Sequence, residues 1–333
     1  MKNDKKIKMT KKITRGISKD FADEFLKSDL YKFYLKNNHE LIIGVRNNYL
    51  NLYYNCDSIA KIKHTKGDIV CEIDKYYLDG KHYSSKDKEK HFVVSQNKII
   101  EKYPDIKNHS ETKTTPEKKV QSKLFILNNQ NPNSNWHCLD LEYVKAFRNK
   151  DEKDKANFNG RFDIIAISKE RPHKIALIEL KYGSGAIGGT SGIYKHVKDF
   201  IKFIDKKYFD KHLKQEIIEI LTSQKNLGIN IPFELPDLED ILQSDFYFIT
   251  LDNNAKTKKA NTPKQTMAGY LFNDKRWGCK KLTTKDSVEK KFGDITKKNN
   301  KFHATFLFSR ATLDNIKIND IIDGNYDERI LPA

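Results

Sequence analysis

The sequence predicts an α/β fold in which a small antiparallel β-rich unit precedes a larger core. Three observations carry this. Glu40 to Leu78 reads as short apolar runs (ELIIGVR, YLNLYYN, SIAKIKH, DIVCEIDKYYL) separated by the turn formers NN, NCD and TKGD. Residues 116 to 252 then read, in order, as helix, three strands, helices and a strand. Inside that order, RFDIIAISKERPHKIALIELKYG (161–183) joins two apolar strands through a polar, proline-containing turn. A chain of 333 residues can bury one large core or two modest ones.

The elements follow from the N-terminus. Residues 1–20 read as a basic tail, 21–112 as the β-rich accessory domain and 113–333 as the second domain, with its core at 116–252. The stretch from Ser84 to about Thr115 is polar and is expected to be irregular. A helix then opens: Thr115 suits the N-cap, Pro116 the first helical position, and Glu117 the first turn, where the helix dipole favours an acid. Val120, Leu124 and Leu127 continue it at helical spacing until NQNPNSN stops it. WHCLDLEYVKAF is the next strand, followed by a long polar loop. After the hairpin comes the glycine-rich GSGAIGGTSG. Ile193, Val197, Phe200, Ile201 and Ile204 then mark the core face of a helix, and DKHLKQEIIEILTSQKN adds more helix. Strands at SDFYFITLD (244–252) and FHATFLFSRA complete the apolar pattern.

The hairpin carries the chemistry. Side chains alternate along a strand, so Glu179 and Lys181 point to one face. A turn centred near Arg171 sets 163 opposite 179, 165 opposite 177 and 167 opposite 175. Asp163, Glu179 and Lys181 then converge. Burying two carboxylates and an ammonium is costly unless the charges pair or a metal neutralises them. Asp163 and Glu179, with the backbone carbonyl of Leu180, suit a hard divalent ion such as Mg²⁺, with Mn²⁺ tolerated. Such a site cleaves phosphodiesters. Lys181 would orient or deprotonate the attacking water, or neutralise the charge developing on phosphorus. Pairing the 136–147 strand with 161–168 can bring Glu142 beside Asp163, although the polar loop between them is long enough to shift the register. Either Glu142 or Glu117, which has Gln121 one turn on, would bind a second metal directly or through water. His196 and Asp199 lie one turn apart on the helix after the glycine-rich loop.

The order αβββαβ, Asp163, the later Glu179-Leu-Lys181 and an acid on the first helix resemble the PD-(D/E)XK nuclease superfamily. The likeness covers roughly 116–252. Phe162 stands where the family name has proline. The resemblance implies a restriction-endonuclease-like core with a mixed sheet. It also implies magnesium on the aspartate and glutamate, and a lysine that assists water. Some members carry Gln-x-x-x-Tyr on the helix after the lysine; here the place reads His196-Val-Lys-Asp-Phe200, which makes His196 a candidate DNA-contacting or site-supporting residue. The expectation is a metal-dependent deoxyribonuclease, an endonuclease in type. A non-catalytic nucleic-acid-binding module on the same fold and an RNA-directed nuclease stay open.

Charge agrees with a nucleic-acid partner: 62 Lys+Arg against 45 Asp+Glu leave +17. The basic runs Lys256–Lys259 and Lys297–Lys301 are the best candidates for phosphate contacts. Four scattered cysteines (56, 71, 138, 279) make neither a zinc motif nor a disulfide framework. With no secretory leader and no apolar run long enough to span a bilayer, the expected setting is the cytoplasm, without a membrane partner; a homodimer is compatible. Gly183-Ser-Gly185-Ala-Ile-Gly188 matches a dinucleotide motif, but helix follows where a parallel strand should return, so a connector or a phosphate-approaching loop with Ser191 is expected. Tyr53, Tyr54, Tyr76 and Tyr77 would stack on bases or, more commonly, face a core; His137 reads as packing.

Overall fold

Tight two-residue turns organise the first sheet. Asn55 and Cys56 (φ 51° and 61°), and Lys66 and Gly67 (φ 52° and 85°), take left-handed backbone at both central positions, which matches the twist of the strands they join. The structure, a computed structural model, describes residues 14–84, 87, 90–144, 160–183, 186–188, 192–242, 246–252 and 304–331. Strands β1 (Leu41–Val45), β2 (Leu50–Tyr54), β3 (Asp57–Thr65), β4 (Asp68–Asp74) and β5 (His91–Ser95) form an antiparallel sheet in sequence order. Helices α1 (Lys19–Lys27), α2 (Asp29–Lys36), α3 (Tyr76–Asp79) and α4 (Gln96–Lys113) accompany it.

Two expectations for this half are corrected. Residues 14–20 are not tail: Arg15 and Ile17 are buried, and the Ser18 side chain caps α1 by accepting from the Phe21 N–H. The stretch from 84 to 115 is not irregular, because it contains β5 and the eighteen-residue α4. Ile99, Tyr103, Ile106 and Ser110 of α4 are buried at helical spacing. An internal Pro104 and many charged residues mask that pattern, and no residue of β5 is fully buried. The accessory half is therefore as helical as it is β-rich.

The second sheet is mixed. Helix α5 (Pro116–Gln130) precedes β6 (Trp136–Val144), β7 (Arg161–Ser168) and β8 (His173–Tyr182). Next come α6 (Ile193–Asp205), a π-helical turn (Phe209–Leu213), α7 (Lys214–Asn226), β9 (Ile241–Leu242), β10 (Phe246–Leu251), β11 (Ala304–Phe308) and β12 (Asp327–Leu331). The spatial order is β12-β11-β10-β8-β7-β6, with β9 also on β8. The β6–β7 and β7–β8 pairs are antiparallel, β10 is parallel to β8 and to β11, and β12 is antiparallel to β11.

Alternation along β8 puts one set of side chains on each face. Ile175 and Leu177 join the core beneath α6 and α7; Ala176, Ile178 and Leu180 join the core beneath α5. Phe200 of α6 lies 4.4 Å from the Phe246 ring and 5.5 Å from Phe162. The first sheet is not separately packed, since Ile42, Tyr53 and Cys56 share the α5-side core, and Ile220 of α7 with Leu227 just beyond it joins the first sheet's core. A buried ion triad seals the contact: Asp140 of β6 meets Arg15 at 2.6 Å and Arg46 at 2.6 Å. No helix among the described residues is long and apolar enough to cross a membrane. Cys56, Cys71 and Cys138 are buried free thiols; Cys279 lies outside the described residues.

Candidate functional site

The hairpin register agrees with the sequence: Ile165 faces Leu177 and Ile167 faces Ile175. Pairing stops at Ile164–Ile178, one residue short of Asp163. There the side chain replaces the ladder. Asp163 Oδ2 accepts the Leu180 N–H at 2.7 Å, and the Asp163 carbonyl accepts from Gln121 Nε2 at 2.7 Å. The amide nitrogen of Gln121 is thus committed to backbone, and the side chain lines the same cleft as the acids. One residue further on, Glu179 and Lys181 are almost fully buried, and Lys181 Nζ donates to Glu179 Oε1 at 2.7 Å.

Both layers of the fold reach this point. From one side α5 begins: Thr115 occupies the N-cap position although its hydroxyl caps nothing, and Glu117 Oε2 accepts the Tyr182 N–H at 3.2 Å. From the other side the first turns of α6 present His196, whose Nε2 lies 3.0 Å from Glu179 Oε1. Strand β6 supplies Glu142. Its neighbours Leu141 and Tyr143 pair with Ile164 and Phe162, so Glu142 faces Asp163, with left-handed backbone (φ 53°) downstream of a bulge between Cys138 and Asp140. Arg161 lies 3.5 Å from Glu142 Oε2. Asp163, Glu179, Lys181, Glu117, Glu142 and His196 all line one cleft of about 280 Å³.

Burial governs the electrostatics, in a cleft where carboxylates outnumber cations. Glu117, Glu142, Asp163, Glu179 and Asp199 meet Lys118, Arg161, Lys181 and Lys195, five carboxylates against four cations. Burial raises Asp163 to about 7, although Lys181 and the Leu180 N–H pull the other way. Burial and then the Asp163 carboxylate push Glu179 well above the usual carboxylate range. Burial opposes the charge on Lys181, but Glu179 and Asp163 outweigh it and hold the ammonium protonated.

The donor set fits a hard divalent ion in kind. Carboxylate oxygens predominate among the side chains that line the cleft. Among the described residues, no three His, Cys, Asp or Glu side chains are gathered as a metal cluster. Glu179 Oε1 is taken up by Lys181 and His196, and Asp163 Oδ2 by an amide.

Arg161, Lys118 and Lys195 also line the cleft and were not singled out from sequence. Arg161 was within reach, because it sits two residues before Asp163 on the same strand. Lys118 and Lys195 adjoin Glu117 and His196, where no periodic signal separates a cleft lysine from a solvated one. Tyr53, Tyr54, Tyr76 and Tyr77 are buried, so base stacking is ruled out for them and the core reading holds. His137 is buried against Phe233, as packing requires. Gly192 serves close packing: a Cβ there would meet the Gly188 backbone at 2.6 Å. Ser191 and the lysine runs 256–259 and 297–301 lie outside the described residues.

Against known proteins, no family model, no curated protein and no solved structure matches the chain.

Proposed function

We propose that this chain is a divalent-metal-dependent nuclease that hydrolyses phosphodiester bonds of DNA. In this reading, β6, β7, β8, β10, α5 and α6 form a restriction-endonuclease-like core. One observation carries it: the acids of two helices and three strands, with Lys181 and His196, line a single cleft at the end of a buried strip. The element order α5-β6-β7-β8-α6-β10 and the parallel β8–β10 pair support the fold assignment. The net charge of +17 supports a polyanionic substrate.

Asp163 and Glu179, with the Leu180 carbonyl, would hold Mg²⁺ or Mn²⁺. When bound, the ion would supply Lewis acidity and lower the pKa of water. Lys181 stays protonated beside the reacting phosphate and offsets the charge that develops as the attacking oxygen adds. His196, through its contact with Glu179 Oε1, keeps that carboxylate directed into the cleft. Arg161, Lys118 and Lys195 at the margin draw the substrate backbone toward an otherwise acidic site.

The test compares wild type with Lys181→Ala on supercoiled plasmid and on linear single- and double-stranded DNA and RNA, with Mg²⁺ or Mn²⁺. Metal-dependent cutting that falls by about 10²- to 10⁴-fold in the variant supports the site and the reaction together. Equal cutting by both proteins assigns the activity elsewhere. Salt-dependent binding without cutting by either would replace the nuclease with a binding module on the same scaffold, and cutting of RNA alone would change the substrate.

A further inference from the structure

Helix α6 turns its apolar residues inward and its lysines outward. Ile193, Val197, Phe200, Ile201 and Phe203 are buried. Lys195, Lys198, Lys202 and Lys206 recur every three or four residues, so they form one stripe on the opposite side, with Lys206 at the C-cap. Lys195, Lys198 and Lys206 are exposed and Lys202 is half-buried. Lys195 lines the acidic cleft, so the stripe begins there and runs away from it. From Lys195 to Lys206 the helix axis advances about 16 Å.

Helix stability does not account for the stripe. Lys202 and Lys206 complement the dipole at the C-terminal end, but Lys195 stands in the first turn, where a cation is unfavourable and no acid offsets it. Lys198 has Lys195 three residues before it and Lys202 four residues after it, like charges whose repulsion weakens a helix. Its ammonium lies 4.5 Å over the Tyr194 ring, held by an aromatic face. Among the described residues, Lys195, Lys198 and Lys206 enter no ion pair. Two acids share the helix: Asp199, which lines the cleft, and Asp205 at the far end. Four lysines against two aspartates leave a positive surplus that a polyanion would neutralise.

We propose that this stripe is a track for the sugar-phosphate backbone of a DNA strand that leaves the cleft along α6. The inference deepens the proposed nuclease and takes from that reading the bond that is cut, but binding along the track needs no chemistry. Each ammonium meets a phosphate as a point charge, so the contacts position the strand without reading its sequence, and salt weakens them. A duplex strand advances about 3.4 Å per phosphate, so the stripe spans about five of them. The preferred substrate therefore extends several nucleotides past the cleft on this side, and a dinucleotide forfeits most of the grip.

The test is fluorescence anisotropy of the full chain with labelled single- and double-stranded DNA of about 20 nucleotides, in EDTA so that nothing is cut. Lys198→Gln/Lys206→Gln removes two contacts outside the cleft. It should weaken binding about tenfold and flatten the slope of log K against log salt by about 1.4 for the single strand or 1.8 for the duplex. Lys19→Gln/Lys81→Gln, an equal loss of charge at exposed sites of the first half, should shift affinity by less than about twofold. Equal losses in the two variants would assign the attraction to overall charge and overturn the track. So would a lack of DNA binding at low salt, or a loss confined to vesicles containing phosphatidylserine. If the Lys206 change at the C-cap melts the helix, Lys198→Gln alone decides, with half the change in slope. Binding along α6 without metal-dependent cutting would keep the track and reject the nuclease; cutting with binding indifferent to the stripe would do the reverse.

Discussion

Glu179 concentrates the tension of this molecule in one side chain. It is 3% exposed, faces another carboxylate, and directs one oxygen at both Lys181 and His196. Its position was legible because two facts are local: residues two apart on a strand share a face, and a short polar turn fixes a hairpin's register. The function of His196 was less legible, because nothing in a helix records which strand it will cover. Under the proposed reaction His196 acts through Glu179, as a positioning residue. His196→Ala is expected to lower kcat about 10- to 100-fold with little change in KM or in melting temperature. His196→Gln, which keeps a donor at a similar reach, should recover part of the loss. Steady-state cleavage kinetics with parallel thermal melts decide this; an equal fall in stability would make the residue merely structural.

At the scale of elements, helix α6 delivers His196 because its buried face is aromatic. Phe200 sits one turn beyond the histidine and packs on Phe246, Phe162 and Phe248 at 4.4, 5.5 and 5.4 Å. Truncation leaves a cavity among rings that cannot collapse. Phe200→Ala should cost about 3–5 kcal/mol in urea unfolding and reduce cleavage through the displaced histidine. A cost below about 1 kcal/mol would mean that α6 is held by other contacts. The face of α6 was readable from Ile193, Val197, Phe200, Ile201 and Ile204, since amphipathic periodicity is a short-range signal. Helix α4 was not, because its charged residues outnumber its buried ones and Pro104 interrupts the pattern; strand β5 was not, because none of its residues is fully buried. The order of α4 comes from burial against neighbours far away in sequence, and that of β5 from its ladder with β4.

At the scale of the whole molecule, Asp140 ties the N-terminal segment, the first sheet and the mixed sheet together. Arg15 Nε and Nη2 and Arg46 Nη1 converge on its carboxylate, and Arg46 also reaches the Leu141 carbonyl and the Tyr53 hydroxyl. Asp140→Asn leaves two buried guanidinium groups uncompensated and should cost about 3–5 kcal/mol in equilibrium unfolding at neutral pH. A neutral outcome would mean that water reaches the triad. Burial alone would raise the Asp140 pKa, but Arg15 and Arg46 outweigh it and hold the carboxyl below its ordinary value. The sign follows: the folded pKa is below the unfolded one, so this stabilisation is complete above pH about 4 and is lost as pH falls through the folded value. Unfolding measured from neutrality down into acid should show this limb in wild type and lack it in Asp140→Asn. The triad also lies two residues before Glu142, next to the bulge that turns that acid toward Asp163. The sequence by itself determined the hairpin, its register, the order of core elements and the Asp163–Glu179–Lys181 cluster, because alternation and turn chemistry act over a few residues. Only the tertiary structure decided that Arg15, Gly16 and Ile17 are buried, that Arg161, Lys118 and Lys195 edge the cleft, and that an uncharged cavity opens between the halves. Those features arise where surfaces from distant segments meet, and burial and charge pairing there depend on neighbours that no local pattern names.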